Sequence, residues 1–136
     1  MAAKTYNLDF SGYNWENSLP EAAGIYLTYT LTYNAETQKY SINKLKYIGE
    51  SNNIKARQQE HLTNGDYPKG VKLAYAYALL PGGEDNRKRC EAAMIFNIKP
   101  EWNTANTKSF DYDATTVKST GKHIGVPEDF TVLRSI

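Results

Sequence analysis

The chain has 136 residues, 16 Lys and Arg against 15 Asp and Glu, a formal net charge of +1 and a single cysteine, Cys90. That length suits one domain with a real core, and near-neutrality excludes a globally basic nucleic-acid binder, so any DNA affinity must come from a local patch. One thiol excludes an intramolecular disulfide; with no apolar run of membrane-spanning length and no charged-then-apolar leader, the expected setting is the cytoplasm.

Residues 1–23 are polar with scattered aromatics, Phe10, Tyr13 and Trp15 among them, and Pro20 stands ahead of the first strand. Residues 25–33 alternate: Ile25, Leu27, Tyr29, Leu31 and Tyr33 fall on one face, and Tyr26, Thr28, Thr30 and Thr32 on the other. This predicts a half-buried strand. Residues 34–38 are turn-like and 40–49 form the return strand. If Tyr26 lies opposite Tyr47, then Ile25 meets Ile48, Leu31 meets Ile42 and Tyr33 meets Tyr40 on an apolar face interrupted by Lys44 and Lys46. The other face gathers Tyr26, Thr28, Thr30 and Thr32 with Ser41, Asn43, Leu45 and Tyr47. A one-residue slip would scramble that division.

A helix follows over 54–62, capped by Asn52 or Asn53, with Ile54, Arg57, His61 and Leu62 on one side. Residues 65–70 form a loop and 71–80 a third strand. A second helix, capped by Asp85 or Asn86, runs to about residue 98, apolar on most sides from Ala92 onward, and Pro100 stops it. Residues 104–136 read as loop with a short strand at 130–133. The order β-β-α-β-α, plus tails, defines an α+β domain.

The chemistry centres on a few residues. Glu91 sits in an apolar helix, where an ionised carboxylate is costly unless it is paired or bound to a metal. A hard cation such as Mg²⁺ accepts one carboxylate and completes its shell with water and phosphate oxygens. Arg57 offers a permanent positive fork to a phosphoryl oxygen. His61, one turn further along the same face, can hold a phosphate or shuttle a proton. Tyr26 or Tyr47 can orient or deprotonate water, but a free phenol titrates near ~10, so it needs cationic neighbours. The competing structural account pairs Glu91 with Arg87, Lys88 or Arg57 and leaves Arg57 and His61 on a solvated face. Arg87-Lys88-Arg89 at a helix start opposes the helix dipole and suggests an external anion.

Gly24-Ile25-Tyr26, Tyr47-Ile48-Gly49, Arg57, His61, Glu91 and Asn103, in that order and with Leu19-Pro20 ahead of them, resemble the GIY-YIG endonucleases. The spacing from Gly49 to Arg57, and Glu91 followed by Lys99-Pro100 and Asn103, is similar to the nuclease domain of the bacterial excision-repair incision protein. The resemblance spans 19–106, with 1–18 as an N-terminal extension and 107–136 as a tail packing on the domain. It implies a small mixed sheet of three or slightly more strands flanked by helices, and cleavage of DNA with one Mg²⁺, for which Mn²⁺ can substitute. It implies Glu91 as the metal ligand, Arg57 as charge stabiliser and Tyr26 or Tyr47 as base or water-orienter. Asn103 becomes a structural or phosphate-side contact, and Lys46 and Lys99 track the DNA backbone. The twenty residues between the two tyrosines exceed that family's usual interval. They predict an extended hairpin over 30–42 that contacts DNA or a second copy in a homo-oligomer. The alternative function is a DNA-binding or protein-interaction module that keeps the fold without turnover.

Overall fold

A computed structural model describes residues 2–136. In chain order the elements are β1 (Lys4–Phe10), a 3-10 turn at Glu16–Ser18, β2 (Gly24–Asn34), β3 (Lys39–Ser51), α1 (Ile54–Asn64), β4 (Leu73–Leu79), α2 (Glu84–Ile98), β5 (Thr115–Gly121) and β6 (Asp129–Val132). The class is α+β, and from β2 to α2 the order is the expected β-β-α-β-α.

The sheet carrying both triplets, β3-β2-β4, is antiparallel throughout rather than mixed. The mixed sheet is a second one, β1-β5-β6, in which β1 runs parallel to β5 and β6 antiparallel to it. The stretch expected to be mainly loop therefore supplies two strands. They join a shared core in which Tyr6, Leu8 and Phe10 of β1 pack with Val117, Val132, Phe110 and Val126.

The long hairpin forms, with a correction to its register. Leu31 faces Ile42 and Tyr33 faces Tyr40 as expected, but nearer the triplets Leu27 faces Ile48, Thr28 faces Tyr47 and Tyr26 faces Gly49. Register shifts at Thr28/Tyr29 and Tyr29/Leu31 account for the difference. Each adds one residue to β3, so two restore the side-chain alternation and leave Tyr26 and Tyr47 on the same face. Between the shifts the faces swap: Leu45 lies opposite Tyr29 and packs into the main core instead of beside Tyr47.

Nor is the tyrosine face polar. Tyr26 is 1% exposed and Thr28 fully buried, because α1 lies over them. Ile54, Leu19, Tyr26 and Tyr75 form a small core there. On the opposite face Ile25, Leu27, Tyr29 and Ile48 meet Ala92, Ala93, Met94 and Ile95 of α2. The alternation of β4 serves both sides: Tyr75 and Tyr77 point toward α1, while Ala76 and Ala78 lie in the main core.

The Asn53 side chain caps α1 by accepting the Ala56 N–H at 3.0 Å. Its buried stripe is Ile54, Gln58 and His61, with Leu62 turned out at 47% exposure. Helix α2 begins after Gly83, without a side-chain cap, and Glu84 and Asp85 in its first turn complement the dipole. Among the described residues no helix is long and apolar enough to cross a membrane.

Candidate active site

Strands β2 and β3 and helix α1 bring three of the foreseen residues into contact. The rings of Tyr26 and Tyr47 stack with centroids 6.1 Å apart. The Tyr26 hydroxyl lies 2.9 Å from His61 Nε2, and the Tyr47 and His61 rings meet edge-on at 5.4 Å. Gly49 is the reason the Tyr26 ring fits: a Cβ at position 49 would stand 2.2 Å from the phenol oxygen. Arg57, part-exposed one turn before His61, pairs with Glu60 at 3.6 Å. Its charge bears on the ionisation of Tyr26, Tyr47, His61 and Glu91 alike.

Four residues of this neighbourhood were not foreseen. Tyr67, in the loop after α1, stacks on His61 at 4.8 Å and meets Trp102 at 5.5 Å. Its hydroxyl donates to Gln58 Oε1 at 3.0 Å. Asp66 Oδ2 lies 2.9 Å from His61 Nδ1. Residue-by-residue reading has no handle on a loop tyrosine. The pair His61…Asp66 straddles Gly65 at a helix end, and its spacing alone does not distinguish a site from a helix stop.

Burial governs the titration of this cluster. It pushes the Tyr26 phenol far above its ordinary range, with Tyr67 and Tyr47 adding to the effect. It raises Tyr47 too, with the Glu91 charge next in importance. The expected lowering of the phenols by Arg57 is present but smaller than the desolvation that opposes it. A phenol here therefore keeps its proton at rest and acts as a hydrogen-bond donor to a neighbouring acceptor. His61 suits that role: burial holds its imidazole below the ordinary value, with the Asp66 hydrogen bond pulling the other way. Neutral, it has a free lone pair.

Glu91, on α2, is near enough to Tyr47 for its charge to bear on that phenol. Burial, and then the Glu50 charge, push its carboxyl up to about 7. The three cations that a structural ion pair would use are engaged elsewhere: Arg87 with Glu50 at 3.0 Å, Lys88 with Glu84 at 2.8 Å and Arg57 with Glu60. Among the described residues no group of three or more His, Cys, Asp or Glu converges on a point. A half-buried carboxylate with no ion-pair partner among the described residues suits a hard cation that keeps most of its shell in water and phosphate oxygens.

The residues expected to hold substrate divide. Asn103 Oδ1 accepts the Ile48 N–H and its Nδ2 donates to the Ile48 carbonyl, both at 2.9 Å, so its amide pins the second triplet's strand. Lys46 pairs with Glu101 at 3.2 Å beside the Trp102 ring. Lys99 folds back onto the Phe96 carbonyl and ring at the end of α2. Of the basic run, Arg87 and Arg89 are buried. Arg89 donates to Thr115 Oγ1 at 2.8 Å and to backbone carbonyls, so the two arginines brace the fold instead of presenting charge to an external anion. A groove of about 590 Å³ does run past Lys46, Trp102, Thr30, Asn43 and Lys72, beside the tyrosine cluster.

No protein-family model matches this chain, and no curated protein or solved structure matches it.

Proposed function

We propose that this chain is a GIY-YIG-type endonuclease that hydrolyses DNA phosphodiesters with a single Mg²⁺, for which Mn²⁺ can substitute. The observation that carries the reading is Glu91: a half-buried carboxylate with no ion pair among the described residues, close enough to Tyr47 and Arg57 for the charges to be felt, with Tyr47 in turn stacked on Tyr26 and edge-on to His61. Glu91 would hold the ion, which supplies positive charge to the phosphoryl oxygens. Arg57 adds a second, permanent positive charge on the same phosphate. Tyr47, the less buried of the two phenols, faces the attacking water, and Tyr26 behind it is hydrogen-bonded to His61 as proton acceptor. The groove past Lys46, Lys72 and Trp102 offers charge for the backbone and an aromatic face for a base.

The test is nicking of supercoiled plasmid in Mg²⁺. Wild type is expected to nick; Glu91→Ala is expected to abolish cleavage, and Tyr26→Phe to lower it roughly 10²-fold or more. Activity untouched by both changes would overturn the reading, as would salt-sensitive DNA retention with no cleavage in any divalent metal.

A further inference from the structure

We propose that Asp66 is the positioning residue of this site: its carboxylate fixes His61 in the tautomer whose Nε2 accepts the Tyr26 proton. The inference rests on the nuclease reading above and extends it to a residue outside the triplets.

The geometry is a chain of two contacts. Asp66 Oδ2 stands 2.9 Å from His61 Nδ1, and His61 Nε2 stands 2.9 Å from the Tyr26 hydroxyl. An ionised carboxylate can only accept, so Nδ1 must carry the hydrogen. In a neutral ring Nε2 is then an acceptor, and Tyr26 must donate to it. The backbone sets this up. Gly65, at φ 69°, turns the chain back at the end of α1, and the Asp66 N–H closes onto the His61 carbonyl at 3.0 Å. That turn swings the Asp66 side chain over the imidazole of the residue to which its backbone is bonded. Asp66 itself is 42% exposed along its side chain, while His61 is buried, 3% exposed. The carboxylate thus stays in contact with solvent while orienting a buried base.

The proton balance follows. The attacking water gives a proton to the Tyr47 oxygen as Tyr47 O–H passes its own to the Tyr26 oxygen and Tyr26 O–H passes its own to His61 Nε2, which afterwards releases it to solvent. The resulting hydroxide forms the new P–O bond. The leaving oxygen departs with the old bond's electron pair and takes a proton from solvent. The imidazolium so formed is stabilised by Asp66. The charged groups bearing on His61 are Asp66 and Glu60, which favour protonation, and Arg57, which opposes it; the phenols of Tyr26, Tyr47 and Tyr67 pack around the ring.

The experiment joins ring-¹⁵N NMR of His61, on metal-free protein, to single-turnover nicking by wild type, Asp66→Asn, Asp66→Glu and Glu91→Ala. Wild type is expected to show the Nδ1–H tautomer. Asp66→Asn, whose amide can donate to Nδ1, is expected to move the ring toward Nε2–H and slow cleavage roughly 10²-fold or more. Its residual activity should have an acid limb at lower pH, since a charge favouring the imidazolium is gone. Asp66→Glu should restore part of the rate. An Nε2–H tautomer in the wild type would overturn the inference whatever the variants do. So would wild-type cleavage and an unmoved pH limb in Asp66→Asn while Glu91→Ala is inactive, and that result would leave the nuclease reading standing. Absence of cleavage by wild type would overturn both.

Discussion

Gly49 and Asn103 show how the two triplets are built as packing before they serve any chemistry. Gly49→Ala places a methyl into the Tyr26 ring, and Tyr26, at 1% exposure, has nowhere to go. The expected cost is about 1–3 kcal/mol, read as a lowered melting temperature. Asn103→Ala removes both hydrogen bonds to Ile48 and should cost about 1–3 kcal/mol. DNA affinity per folded molecule should stay constant in a filter-binding titration, because that amide is held against the Ile48 peptide group through both its oxygen and its nitrogen. Glu91 gives the pH dependence. Its folded-state value, about 7, lies above the ordinary carboxyl value of 4.5, so the native state holds the proton more tightly than the unfolded chain. In metal-free protein stability is therefore greatest at acid pH, and of the order of 2–3 kcal/mol is lost as pH rises from 4.5 through 7. Denaturant melts across that window should show the fall, and Glu91→Gln should flatten it while abolishing cleavage. The functional residue types were legible in the sequence because their chemistry is unusual where they sit: a carboxylate in an apolar helix, and two glycines flanking tyrosines. Asp66, Tyr67 and Gln58 were not, since each acts through a neighbour that only the folded chain supplies.

At the scale of elements, the hairpin was legible and its register only half so. Alternation in β2 is satisfied equally by the straight ladder and by one displaced two residues, so the pattern says which face Tyr26 and Tyr47 share but not which residue stands across from which. Leu45 marks the cost of assuming a perfect ladder. The stripe of α1 was misread at one position: Leu62 suggested the buried side by hydrophobicity, yet Gln58 takes that place because Tyr67 gives its amide oxygen a partner. Beyond the bulges the hairpin is exposed, with the Tyr33 and Tyr40 rings tilted against each other at 4.8 Å and Tyr40 meeting Trp15 edge-on at 5.3 Å. Replacing residues 33–40 by a two-residue type I′ turn should cost about 1 kcal/mol by thermal melt, since these rings touch little of the core. If this arm contacts DNA or a second copy, the shortened protein keeps its single-turnover nicking rate and loses affinity or self-association.

For the whole molecule, the segments outside the resemblance complete the core. Strand β1 pairs with β5 from Lys4↔Thr115 to Phe10↔Gly121. Beyond it, the Asn14 and Tyr75 backbones exchange hydrogen bonds at 2.7 and 2.9 Å, covering the β4 edge. A chain cut to 19–106 loses Tyr6, Leu8, Phe10, Phe110, Val117, Val126 and Val132 from the core. At roughly 1.5–3 kcal/mol per buried side chain this matches or exceeds the ~5–15 kcal/mol that holds an ordinary domain together, so that fragment should show no cooperative melt by circular dichroism. Periodicity could not reveal this pairing. Strand β5 is short and rich in threonine, and its parallel partner lies at the other end of the chain.

If Glu91 gathers a divalent cation in front of Tyr47 and Arg57, anomalous diffraction from a crystal soaked in Mn²⁺ should show one peak within metal–oxygen bonding distance of the Glu91 carboxylate, lost in Glu91→Gln. No peak at Glu91, or a peak that survives that substitution, rules the metal site out.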